Sequence, residues 1–305
     1  MNTHHQGRKK LIGRGSNHRP GKKEDAAMAG EKKHLFGDIG DTIVLIRGAG
    51  EQATGVAYRL FRGGFKLCFT EIAEPLAVRR EVSFCEAVYD GEKTVEGVTA
   101  KRIRGSEDIE QVWREGKIPL LMDPENKVRE VLKPRVEIDA ILAKRNVGTA
   151  ITDAPLVIGL GPGFTAGKDV HIVIETNRGH DLGRLIFEGE AEPNTGVPGD
   201  IAGYGIERVL RATADGIFHN IRAIGDHVAA GDVIAEVEGK PVKTVIAGVV
   251  RGLLREGIQV TEGLKAGDVD PRAKREACFT ISDKARALGG AALEAILYDL
   301  PKRMG

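Results

Sequence analysis

The sequence predicts an α/β protein, and two stretches carry that expectation. Between residues 42 and 80, a short apolar, β-branched run (43–46) precedes glycines at 48, 50 and 55. A helical segment follows, with Val56, Leu60 and Phe61 on one face and Gly63-Gly64 as its stop, and then a second apolar run that ends at Glu71. Between residues 210 and 272, Gly216, Gly225, Val228 and Gly231 recur at the same offsets as Gly248, Gly257, Val260 and Gly263. The first stretch reads as a Rossmann-like Gly-turn unit, the second as a small repeated β module.

In the first unit Gly48 permits a tight turn and Gly50 lets a ligand approach the backbone. A helix opening near Gln52, directly after Glu51, aims unpaired N–H groups at an anion. Glu71 stands where the dinucleotide pattern places the acidic residue that holds a ribose hydroxyl. The spacing, G-x-G-x4-G, is two residues longer than the standard fingerprint. Two readings stay open: a ligand-binding turn, or glycines that only let helix and sheet pack closely.

Arg79 and Arg80 follow Pro75, either as a clamp for phosphates or as a solvated charged face. Residues 82–91 read as a short helix ending in a turn, 94–103 as a weak strand, 108–114 as a helix, 117–122 as a strand, and 136–142 as a strand or helix. Residues 156–164 form a second strand and Gly turn, with Gly161 and Gly163. Only seven residues separate Gly163 from His171, too few for a crossover helix, so this is a Gly-rich loop lining a site or a hairpin corner. Residues 175–184 are densely polar and predict an exposed loop. There His180 stands among Glu175, Asn177 and Arg178.

The repeated module resembles the biotinyl/lipoyl-type barrel-sandwich hybrid over about sixty residues. Its central hairpin carries Lys240, where that family bears a modified lysine. The residue sits too close to Gly248 and is followed by Pro241, which favours a structural or docking role. Ser282 caps a last helix whose apolar face includes Leu288, Leu293 and Ile296, and Pro301 ends it. The expected division is a basic disordered tail (1–38), a Rossmann-like α/β region (39–208), a barrel-sandwich hybrid (209–272), and a helix packing back on the α/β region (273–305).

Charge is unevenly spread. Residues 1–33 hold nine Lys/Arg and three Asp/Glu, a net +6, so the remainder carries +1 − 6 = −5. An acidic body with few aromatics argues against a nucleic-acid surface. Met28 is an alternative start that would remove most of the tail. Cys68, Cys85 and Cys278 are odd in number and far apart, which points to a reducing cytoplasm without a disulfide framework or structural zinc. No apolar run reaches transmembrane length.

With these stretches in view, the chain resembles the accessory proteins of selenium-dependent molybdenum hydroxylase systems. The segments that carry the resemblance are IRGAGEQATGVAYRLFRGGF (46–65), TEIAEPLAVRREVSFCEAVYDG (70–91), DAPLVIGLGPGFTAGKDVHIVIETNRGHDLGR (153–184), PNTGVPG (193–199) and SDKARALGGAALEAIL (282–297). The Gly-turn half is also similar to xanthine dehydrogenase maturation factors. The resemblance implies transient binding of molybdenum cofactor, as molybdopterin or its dinucleotide, for selenium insertion or delivery. It implies a hydroxylase apoprotein or other maturation factors as partners, and leaves homo-oligomerisation open. The Gly turn would hold the phosphate, and Arg79, Arg80 and Arg178 would neutralise it. Cys85 is either a chalcogen carrier or a small buried residue. The competing readings are an NAD(P)-binding oxidoreductase, which lacks a convincing acid/base pair, and a scaffold or carrier.

Overall fold

The computed structural model describes residues 39–300. The expected basic tail and the alternative start at Met28 lie outside the described residues. Eleven strands and four helices come first: β1 (Ile43–Arg47), α1 (Glu51–Arg62), β2 (Lys66–Glu71), α2 (Ala87–Asp90), β3 (Glu92–Val95), β4 (Val98–Ile103), α3 (Ile109–Arg114), β5 (Ile118–Met122), α4 (Val128–Leu132), β6 (Val136–Asp139), β7 (Leu156–Leu160), β8 (Thr165–Ala166), β9 (Ile172–Ile174), β10 (Leu185–Ile186) and β11 (Gly189–Glu190).

Nine of these strands form one sheet in the order β10-β9-β7-β6-β1-β2-β5-β4-β3. Its interior is parallel, and its edge strands β10 and β3 are antiparallel. Alternate residues of the central strands go to opposite faces, the period-2 rule applied to a sheet covered on both sides. Val44, Ile46, Leu67 and Phe69 pack on the α1 face. Leu45 and Cys68 join the cluster of α3 and α4 on the other. The weakly alternating stretch at 94–103 is a hairpin: Glu96 and Gly97 both take positive φ (46° and 83°), as a tight two-residue turn requires.

The remaining strands are β12 (Val209–Arg211), β13 (Gly216–Asn220), β14 (His227–Val228), β15 (Val233–Val237), β16 (Lys240–Lys243), β17 (Gly248–Leu253), β18 (Gln259–Val260) and β19 (Lys265–Asp270). They build two four-stranded antiparallel sheets, β12-β19-β17-β14 and β16-β15-β13-β18, around their own apolar cluster. The last helix, α5 (Asp283–Asp299), is capped by Ser282, whose hydroxyl accepts from the Ala285 N–H at 3.2 Å. It packs along α1.

The expected fold class is corrected at three points. A doubly wound Rossmann domain needs a crossover helix for each parallel step, yet no helix joins β6 to β7 or β7 to β9. That half of the sheet is covered on one face by α5, which arrives from the far end of the chain, and on the other by Phe164, by Ala166 of β8 and by Ala191. The C-terminal strands do not form the expected barrel-sandwich module: no hydrogen-bonded ladder joins the two four-stranded sheets, so no barrel closes. Nor do they stand alone. The Leu253 N–H donates to the Val78 carbonyl at 2.8 Å, Arg79 donates to Arg251, Ala277 and Thr280 carbonyls, and Cys278 from beyond the repeat sits in their core.

Candidate functional site

The carboxyl ends of β1, β6, β7 and β9 open on one side of the sheet. β1 runs on to α1 and β2 in one direction, while β6 lies on its other flank. The strand order therefore reverses between β1 and β6, the place where open α/β sheets keep a crevice. Two adjoining hollows occupy this edge.

The first, of about 430 Å³, is lined by Leu142, Lys144, Arg178, Arg211, Lys265 and Lys284 among others. Five cations thus face one cavity, against a single lining carboxylate, Glu192. Arg178 is paired, donating to both Asp283 oxygens at 2.9 and 3.0 Å. These bonds hold the Asp283 carboxyl down to about 2. Lys144, Arg211, Lys265 and Lys284 make no ion pair among the described residues. Lys284 is half-buried in the first turn of α5, where a cation also opposes the helix dipole. Burial, and then Arg178, lower its pKa below the ordinary lysine value against the pull of Glu51 and Glu175.

The loop after β6 is strained where it meets this cavity. Leu142 and Lys144 both hold left-handed backbone (φ 60° and 62°), a conformation that costs non-glycine residues about 1–2 kcal/mol each.

The second hollow, of about 400 Å³, shares Leu142 and Lys265 with the first and is lined by the Gly turn. Gly48 (φ 82°), Gly50, Glu51, Glu71, Arg79 and Cys85 meet here. The Glu71 carboxylate accepts from the Ala49 and Ile72 N–H groups, both at 2.8 Å, so it braces the turn from within. Burial raises its pKa despite these bonds. A Cβ at Gly50 would meet nothing within 4 Å, which leaves the backbone approachable.

Of the other expected site residues, Gly55, Arg80, Gly161, Gly163 and His180 line neither hollow, while Arg79 and Cys85 belong to the wall of the second. Gly55 is a packing glycine: a Cβ there would lie 2.4 Å from the Ala285 carbonyl, and one at Gly289 would lie 2.5 Å from the Gly55 carbonyl. Arg79 is 8% exposed, with its guanidinium spent on three carbonyls and on Glu51 at 3.6 Å. Arg80 donates to the Leu253 carbonyl. Gly161 (φ 77°) turns the chain beside Thr176, and Gly163 lies against the Arg145 backbone. His180 is exposed on the 175–184 loop. The Cys85 thiol is pushed well up by burial, with Glu71 and Glu86 adding to it, so it stays protonated.

Sequence reading missed Lys144, Arg211, Lys265 and Lys284. They lie on four separate elements, and only Lys284 carried a signal: a cation directly after an N-cap pair, where helices favour acids. Among the described residues, no group of three or more His, Cys, Asp or Glu side chains could hold a metal ion, and no helix is long and apolar enough to cross a membrane.

No family model matches the sequence. A relative in Escherichia coli K12, "Uncharacterized protein YqeB", is 50% identical over 258 residues, 85% of this chain and 48% of that protein; the chain spans about half the length of this relative. Among solved structures, the E. coli tRNA N6-threonylcarbamoyladenosine dehydratase TcdA is 13% identical with a TM-score of 0.32, over 93% of this chain and 99% of that one. An aspartoacylase family protein of Mesorhizobium loti is 14% identical with a TM-score of 0.24, over 75% and 84%. Structural likenesses this shallow carry no argument about activity.

These findings correct the expected kinship with the selenium-dependent molybdenum hydroxylase accessory proteins and the xanthine dehydrogenase maturation factors. The relative that is half identical to this chain is described as an uncharacterized protein, not as an accessory or maturation protein of such a system. The expected role in cofactor delivery and the hydroxylase or maturation-factor partners fall with that kinship. The cofactors expected at the turn, molybdopterin in either form and NAD(P), fall on geometry as well. Arg79 and Arg80 spend donors on the Arg251, Ala277, Thr280 and Leu253 carbonyls, so the pair expected to neutralise the phosphate is engaged by the C-terminal segment instead.

Proposed function

We propose that residues 39–300 bind a small anionic molecule, bearing phosphate or carboxylate groups, in the crevice at the carboxyl edge of the parallel strands. One observation carries this reading: Lys144, Arg211, Lys265 and Lys284 surround a single cavity without a carboxylate partner. Gathering like charges in a partly buried space is unfavourable, and an anion offsets that cost. The surrounding residues 34–305 carry a net charge of −5, so the cavity opposes its background rather than sharing in it.

The Gly turn at Gly48, Gly50 and Glu51 belongs to the same proposed site. So does Arg178, which holds the first turn of α5 in place through Asp283. The division into regions 39–208, 209–272 and 273–305 is likewise our proposal, as is a cytoplasmic setting, for which the three buried, unpaired cysteines speak.

The test is a thermal-shift titration with pyrophosphate and with citrate, for the natural chain and for Lys284→Met. The expected result is a rise in Tm for the natural chain that shrinks as salt is added and is largely lost in the variant. No rise with either anion, or an undiminished rise in the variant, would refute the reading.

A further inference from the structure

The two hollows differ in chemistry and meet at a shared wall. Leu142 and Lys265 line both. The first is cationic. The second offers hydrogen-bond acceptors: the Glu51 carboxylate, the Glu71 carboxylate with one N–H already on each oxygen, and Gln52, whose Oε1 is buried without a hydrogen-bond partner. Buried acceptors left unmatched are costly, and a donor from a ligand relieves that cost.

We infer that the ligand is elongated, with an anionic head in the cationic cavity and a hydroxyl-bearing tail that passes Lys265 into the hollow at the Gly turn. This inference rests on the anion-binding reading of the first cavity. A hydroxyl suits the tail better than an ammonium group. Lys265 stands at the junction and repels a cation, Arg79 already pairs with Glu51 at 3.6 Å, and a hydroxyl both donates to the carboxylates and accepts from any donor it meets. Together the two hollows suit a phosphorylated sugar or polyol more closely than a bare inorganic anion.

The strained loop fits this division. Leu142 holds φ 60° where the hollows join, and Lys144, two residues on, holds φ 62° where it faces the head group. The same backbone distortion that puts an apolar side chain at the junction presents the cation to the cavity.

The experiment is a calorimetric series on the full chain with inorganic phosphate, phosphoglycolate, glycerol 3-phosphate and ribose 5-phosphate, repeated on Gly50→Val. Gly50 has extended backbone (φ −68°, ψ −174°) and open space at its Cβ, so valine occupies the second hollow without a clash. In the natural chain affinity should climb along the series, ribose 5-phosphate binding about tenfold more tightly than phosphate, the gain that one or two good hydrogen bonds bring. In Gly50→Val the climb should flatten. A flat series in the natural chain, or an unchanged slope in the variant, overturns the elongated ligand while leaving the anion cavity standing. Loss of every ligand by the variant places the head group at the Gly turn and overturns the division of roles. Failure of the whole series in the natural chain overturns the anion reading itself.

Discussion

Replacing Glu137 with glutamine should stabilise the protein at pH 8 and leave it nearly unchanged at pH 4.5. Glu137 lies on β6 with no exposed surface. Asn126 donates to its Oε1 at 3.0 Å, while Oε2 has no hydrogen-bond partner and the nearest guanidinium, that of Arg129, stands 4.0 Å away and is also engaged by Asp153. Burial, and then the charge of Asp153, push the carboxyl up to about 7, against the pull of Arg129, Arg47 and Asn126. The folded protein therefore holds this proton more tightly than the unfolded chain, whose glutamates titrate near 4.5. Stability falls as pH rises through the window from 4.5 to 7, and the full penalty persists above it. At 1.36 kcal/mol per pH unit that penalty is about 3 kcal/mol. The amide keeps an acceptor for Asn126 and never ionises, so Glu137→Gln removes the penalty where it exists. Urea unfolding of both proteins at pH 8 and pH 4.5 measures the difference. A variant no more stable than the natural protein at pH 8, or one stabilised equally at both pH values, would refute the reasoning.

Three further outcomes follow from the packing. Gly55→Ala should destabilise by about 1–3 kcal/mol in denaturant unfolding, because the new methyl would lie 2.4 Å from the Ala285 carbonyl and α1 and α5 must part. Lys144→Gly should leave stability within about 1 kcal/mol, since relief of the left-handed backbone offsets the added freedom of the unfolded chain, yet weaken pyrophosphate binding severalfold; calorimetry and thermal unfolding read the two separately. Arg208→Ala should cost about 3–5 kcal/mol at pH 8, because it strips the buried Asp268 of a 2.9 Å partner. Burial already raises the Asp268 pKa and the lost guanidinium raises it further, so the cost should shrink as pH falls and the carboxyl takes a proton.

The Gly turn shows how far local chemistry reaches. Its strand, turn, helix and second strand are legible because each depends on residues close in sequence: apolar alternation, glycines with nothing to clash, a double-glycine stop. The role of each glycine was less legible. Gly50 and Gly55 look alike in the motif, yet one faces open space and the other lies under α5, some 230 residues later in the chain. Arg79 and Arg80 read either as a phosphate clamp or as a solvated charged face, but their partners are carbonyls on β17 and beyond, which no local pattern announces.

By itself the sequence determined the β1-α1-β2 step, the repeat of short strands and the capped last helix, because propensity, capping and periodicity act over a few residues. Only the tertiary structure decided that α5 would cover the half-sheet lacking crossover helices, and that the repeated strands would form two open sheets bound to the 78–80 segment. It alone decided that Lys144, Arg211, Lys265 and Lys284 would share a cavity. The physical reason is the same throughout: packing and electrostatics depend on separation in space, and these residues are brought together by contacts whose partners lie tens to hundreds of positions apart.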